Sequence, residues 1–158
     1  GCLAADPRRP RLRSRVTLPI GVRVAAGAGV ALLLLPLLGL VARVHWALAP
    51  AARENFLKVA RNPAAVGSMV SFELRGLSFA RVYDRMRLPK GPSFGLRNSL
   101  CCPFMYLAHY DLVTSEAGRA QLAQHRLNPG LLRLSVGIEP VGDLVGALGE
   151  ALDLAAVD

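Results

Sequence analysis

Hydrophobic and polar positions along this chain follow two periods, and the switches between them mark the elements. Val41-Ala42-Arg43-Val44-His45-Trp46 reads as a short strand, closed by Pro50. Residues 51–60 follow as a helix with Phe56, Val59 and Ala60 on one side, stopped by Asn62-Pro63. Gly67 opens a second strand over 69–75. There Val70, Phe72 and Leu74 point one way, and Ser71, Glu73 and Arg75 the other. After Gly76 the period lengthens. Phe79, Val82, Tyr83 and Met86 fall at i, i+3, i+4 and i+7, the stripe of an amphipathic helix, with Ser78 placed to cap it. Pro89, Gly91 and Pro92 break the chain, and a strand-and-turn region follows. Over 131–138 another strand puts Leu132, Leu134 and Val136 on one face and turns Arg133 and Ser135 to the other. Pro140 then starts a helix whose stripe is Val141, Leu144, Val145, Leu148 and Leu152. Gly142, Gly146 and Gly149 weaken that helix by roughly 1 kcal/mol each relative to alanine, so it needs tertiary packing. The order predicts an α/β (α+β) sheet covered by helices on one face.

Upstream lies a different pattern. Residues 24–42 run for 19 positions without a charge, long enough to cross a hydrocarbon core of about 30 Å. Six arginines precede the run, as positive-inside orientation requires, while Gly27, Gly29, Pro36 and Gly39 argue against a span. A buried helix near residues 28–40 is the competing reading. The expected organisation is a basic, disordered Pro/Arg-rich head over 1–23, an apolar helical segment over 24–40, and an α/β domain over 41–158.

Charge and composition narrow the function. The 158 residues suit one domain of roughly 100–150 residues plus an appendage. A hydrophobic fraction of 53% against 19% charged excludes a disordered polyelectrolyte. The formal charge of +8 is concentrated in the head, where six arginines face only Asp6. The remaining residues are nearly balanced, with 13 basic and 10 acidic groups. No aromatic residue is interleaved with the arginines to stack bases, so nucleic acid is not an expected partner. Three cysteines, two of them adjacent as Cys101 and Cys102, exclude a disulfide-stapled miniprotein and point to a reducing, cytoplasmic setting. His45, His109 and His125 stand too far apart to suggest a metal site. Gly1 in place of Met is read as a processed or incomplete product.

Several strings carry a resemblance. Leu131-Leu132-Arg133-Leu134-Ser135-Val136-Gly137-Ile138-Glu139, followed by the helix at Val141-Gly142-Asp143-Leu144, resembles the C-terminal signature of the Cys/Met-metabolism enzymes. These are the pyridoxal-phosphate-dependent trans-sulfuration enzymes, which write the stretch L-I/L-R-L/V-S-V-G-I/L-E. Gly67-Ser68-Met69-Val70-Ser71-Phe72-Glu73-Leu74 is similar to their G-G-M-V/L-S/T-F-x-L/I strand. Ser99-Leu100 matches the start of their S-L-G-G motif, and His109 stands where their H-P-A histidine does. Val41–Pro50 is similar to their V-x-x-V-x-Y-P-G-L-P lead into the small domain. The departures are as clear. The two glycines of S-L-G-G are Cys101 and Cys102 here, and H-P-A has become His109-Tyr110-Asp111.

The resemblance implies the small C-terminal domain of a fold-type I enzyme of the cystathionine γ-synthase or γ-lyase kind. Its substrates would be sulfur-containing or γ-substituted amino acids, its cofactor pyridoxal 5'-phosphate, and its complete form a homo-oligomer. By resemblance Arg133 grips the substrate carboxylate, Ser99 lies at the substrate and near the cofactor linkage, and Asn98 occupies a position that varies between activities. Lys58 and Lys90 are the chain's two lysines, and neither stands in a Schiff-base context. The polypeptide alone is therefore expected to hold no catalytic residue and to be inactive. His109 and the adjacent thiols are read as structural. The alternatives are a small membrane-anchored protein with its span at 24–42, or an inactive truncated product.

Overall fold

A computed structural model describes residues 39–156. The expected head over 1–23 and most of the apolar segment over 24–40 lie outside the described residues. Among the described residues no helix is long and apolar enough to cross a membrane.

Four strands form one sheet: β1 (Val41–His45), β2 (Met69–Leu74), β3 (Leu100–Pro103) and β4 (Leu132–Ser135). They lie in the order β1-β2-β4-β3, each pair antiparallel. The alternation read in the sequence holds across it. Val70, Phe72, Leu132 and Leu134 are each no more than 1% exposed. They face helix α2 (Phe79–Arg85), through Val82 and Met86, and the long C-terminal helix α6 (Val141–Ala156), through Leu144, Leu148 and Leu152. In β1, Val41 and Val44 are three residues apart, so a regular strand would turn them to opposite faces. The register slips between Val41 and Arg43, and this bulge lets Val41 sit opposite Leu74 and Val44 opposite Phe72, both packed on the core. Gly67 and Gly76 bracket β2 with φ of 74° and 69°, a backbone region that costs other residues strain.

Three expectations need correction. The helix after β1, α1 (Pro50–Val59), forms, but no residue of it is buried and Val59 is 80% exposed. Besides alanines it has only Phe56, Leu57 and Val59 as apolar side chains, and none of them is buried. Ser78 occupies the N-cap of α2 without a capping hydrogen bond from its side chain, and the turn is closed by Val82 N–H on the Ser78 carbonyl. The region between β3 and β4 is helical. It holds α3 (Phe104–Ala108), α4 (Tyr110–Thr114) and α5 (Glu116–Gln124), around a small second core of Met105, Val113 and Leu122. The first two are single turns that show no periodicity. The third carried a readable signal: Ser115 before Glu116, with the Ser115 hydroxyl accepting from Gly118 N–H at 3.1 Å.

The glycines of α6 pack against nothing. A Cβ at Gly142, Gly146 or Gly149 would meet no atom within 4 Å. Gly146→Ala should therefore raise stability by about 0.5–1 kcal/mol, through helix propensity alone. Urea denaturation of the two proteins side by side measures it, with the slope unchanged.

Candidate functional site

The face of the sheet turned away from α2 and α6 carries the polar side chains of the same strands. One row crosses all four strands there: His45 opposite Ser71, Ser71 opposite Arg133, and Arg133 opposite Cys102. The row is a direct result of alternation, since each of these residues neighbours a core position. At the β1 end, the His45 ring lies 2.7 Å from Glu73, which is only 8% exposed. The second oxygen of that carboxylate accepts from the Asn128 amide at 3.3 Å. Burial of the charge is thus matched by two partners.

Arg133 is half-buried at the other end of the row. Its guanidinium carbon sits 4.6 Å from the centre of the Phe104 ring and 5.6 Å from that of Phe94. One of its N–H groups donates to the Pro92 carbonyl. Beneath it, the Cys102 thiol is 1% exposed. Burial pushes that thiol's pKa up, while the Arg133 charge and a hydrogen bond from its guanidinium pull against it. Cys101 points into the core instead, and burial, reinforced by the neighbouring thiol, raises it to about 12.

The segment 91–98 ties this row to a second junction. Gly95 N–H donates to the Ser135 hydroxyl at 3.3 Å, and Ile138 N–H to the Arg97 carbonyl at 2.8 Å. Ser99, fully buried, then meets Glu139: its N–H donates to one carboxylate oxygen at 2.6 Å and its hydroxyl to the other at 2.9 Å. Gly137 N–H donates back to the Ser99 hydroxyl at 2.8 Å. A Cβ on Gly137 would clash with the Arg97 carbonyl and with Asn98, so only glycine lets the two segments approach this closely. Asn98 is held outward at the rim of a shallow cavity of about 580 Å³, lined with Leu96, Arg97, Ile138 and Glu139.

Of the residues singled out in the sequence, Asn98 and Ser99 share this junction. Arg133 lies on the neighbouring strand, linked to them through the same segment. The hydroxyl proton of Ser99 is already spent on Glu139, which leaves its oxygen only as an acceptor toward any further group. Sequence reading missed Glu139 and the aromatic pair around Arg133. The resemblance implied that Ser99 and Arg133 both serve the substrate, but not that Ser99 contacts Glu139. His109 is exposed, with its ring centre 6.1 Å from that of Phe104 in an edge-to-face arrangement.

The lysines are engaged elsewhere. Lys58 pairs with Glu54 along α1 at 2.7 Å. The Lys90 ammonium donates to the Asp84 carbonyl at 3.1 Å and lies over the Tyr83 ring, a residue packed on the helix-covered side of the sheet. Neither amine reaches the polar row, and among the described residues no buried side-chain polar atom lacks a partner. The described residues do not fit a cofactor held by a Schiff base from this chain. The Arg133 guanidinium, flanked by Phe104 and Phe94, is a planar donor that fits the binding of a small anion. Among the described residues, no group of three or more His, Cys, Asp or Glu could hold a metal ion.

Two outcomes follow from these contacts. Glu139→Ala leaves the buried N–H of Ser99 without an acceptor and should cost about 1–3 kcal/mol in urea denaturation, with Glu139→Gln intermediate. The buried Cys101 thiol has a folded-state pKa of about 12, above the ordinary 9.0. Its contribution to stability is therefore present below pH 9 and is lost as pH rises toward 12. The thermal midpoint of the wild type should fall more steeply above pH 9 than that of Cys101→Ala, and equal slopes would contradict it.

No protein-family model matches the chain. Among curated proteins it is 36% identical, over 131 residues, to the L-2-amino-4-chloropent-4-enoate dechlorinase/desaturase of Streptantibioticus cattleyicolor. That alignment covers 83% of this chain and 26% of the relative. It is 32% identical over 105 residues to the cystathionine γ-synthase of Neurospora crassa, covering 66% of this chain and 16% of that enzyme. Among solved structures, the cystathionine γ-lyase of Micromonospora echinospora superposes with a TM-score of 0.67 at 30% identity, over 84% of this chain and 33% of that one. The cystathionine γ-synthase of Xanthomonas oryzae, solved with cystathionine, gives a TM-score of 0.68 at 26% identity, over 86% and 34%. The chain thus spans about a third or less of the length of these relatives. The sheet with its two covering helices, the strings around Arg133 and Ser99, and these likenesses agree: the chain belongs to the cystathionine γ-synthase/γ-lyase family of pyridoxal-phosphate-dependent enzymes.

Proposed function

We propose that this chain is the small C-terminal domain of a trans-sulfuration-type enzyme, and that it binds the carboxylate end of an amino-acid substrate through Arg133. The observation that carries the reading is the guanidinium itself. It stands on the polar face of a central strand, with its central carbon over the rings of Phe104 and Phe94 and one N–H held by the Pro92 carbonyl. A planar fork of this kind matches a carboxylate with two parallel hydrogen bonds. Each bond to a charged group contributes roughly 1.5–3 kcal/mol.

The other residues have supporting roles in this reading. Ser99 and Glu139 hold the segment that presents Asn98, and Asn98 meets the variable end of the substrate beside the cavity at Leu96 and Ile138. The substrates are sulfur-containing or γ-substituted amino acids, and the complete enzyme is a cytoplasmic homo-oligomer. Pyridoxal phosphate and its lysine belong to the larger part of the enzyme, so this domain contributes recognition rather than the cofactor's chemistry. The membrane-anchored alternative puts its span at 24–42, of which only the last four residues lie among the described ones.

In the active enzyme that carries this domain, Arg133→Lys should raise the substrate KM at least about tenfold, because an ammonium cannot reproduce the fork. The thermal midpoint should move little, since no core contact is lost. An unchanged KM with a collapsed midpoint would make Arg133 a structural residue and defeat the reading.

A further inference from the structure

Strand β3 departs from the family pattern at the place where it faces Arg133. Where the family writes two glycines, this chain has Cys101 and Cys102, followed by Pro103 and Phe104. Alternation sends Cys101 into the core and leaves Cys102 on the polar face, directly opposite Arg133 in the antiparallel ladder. Side chains so paired stand about 5 Å apart at Cβ. With glycine at 102, the arginine stem would have open backbone to lie on. A thiol fills that space, and it is 1% exposed although the face around it is open.

The guanidinium is consequently enclosed on several sides. Cys102 is its partner across the ladder, the Phe104 and Phe94 ring centres lie 4.6 and 5.6 Å from its central carbon, and the Pro92 carbonyl takes one of its N–H groups. The geometry points to Cys102 and Phe104 as positioning residues that hold the Arg133 fork raised and oriented for a carboxylate. This rests on the carboxylate role given above to Arg133. Phe104 begins α3, so the helical turn missed in the sequence is what brings the ring to the arginine. A side chain already fixed by its neighbours loses less freedom when it binds, which is the advantage of such a box over a free surface arginine.

The test uses the full chain with nitrogen-15 label, and reads the arginine side chains by NMR. Arg133 should show a ring-current-shifted Nε–H and slow guanidinium rotation, unlike the exposed Arg53. Cys102→Ala and Phe104→Leu should each move that signal toward the exposed pattern. Titration with L-methionine as the probe should weaken by about fivefold in each variant, the scale of one side chain's ordering cost. Cys102→Ser, similar in size and still an acceptor, should restore both readouts. Guanidinium signals unchanged in both variants, or a loss that serine does not restore, would overturn the inference. If Cys102→Ala fails to fold by circular dichroism, Phe104→Leu at a half-buried position decides alone. Equal L-methionine binding by the wild type and Arg133→Lys, or none by either, would refute the carboxylate role, while the guanidinium spectrum would still decide the positioning.

Discussion

Strand β4 lies between β2 and β3 and is paired on both edges, so its side-chain alternation is the constraint on which the rest of the structure depends. Leu132 and Leu134 are fully buried, and Arg133 between them has nowhere to go except the opposite face. A register slip of one residue would put the guanidinium into the core and two leucines into water. Burying a leucine side chain is worth roughly 1.5–3 kcal/mol, so the slip forfeits several kcal/mol before the cost of an unpaired buried charge is counted. The hydrophobic effect on one side of the sheet thus fixes the position of the charged group on the other.

What surrounds that charge is held by a different kind of interaction. The segment 91–98 has few apolar anchors, and Phe94 and Leu96 are exposed. It is tied down by hydrogen bonds instead: Pro92 to Arg133, Gly95 to Ser135, Arg97 to Ile138, and Ser99 to Glu139. Glu139 stands out because each of its oxygens accepts from Ser99. The approach is close enough to require glycine at 137. The two motifs most similar to the family's, the one containing Ser99 and the one containing Arg133 and Glu139, are therefore two halves of one junction.

The divergence from the family is concentrated on the same structure. Cys101 and Cys102 add volume on both faces of β3, and the turns of α3 and α4 follow directly after it. One thiol joins the core and the other joins the arginine's surroundings. Substitution at a pair of small residues has altered the packing and the site together, because in a strand adjacent residues belong to opposite faces.

The amino-acid sequence by itself determined everything that depends on local period. The β2, β4, α2 and α6 stripes were legible, as were the turns at Gly67 and Gly76 and the family strings, because alternation and helical spacing are written within a few residues. The exposure of Val59 was not legible, since an apolar residue on a helix reports a preference and not the presence of a partner. Nor were the one-turn helices α3 and α4, which are too short for a period and form by packing Met105 and Val113 onto Leu122. The bulge in β1 was also decided by the tertiary fold, which had to turn Val41 and Val44 to one face. The site was settled in the same way. Ser99 and Glu139 are 40 residues apart, and Pro92 and Arg133 are 41 apart. Contacts at that separation exist only after the sheet has closed, because it is the pairing of β3 with β4 that brings their partners within hydrogen-bond range.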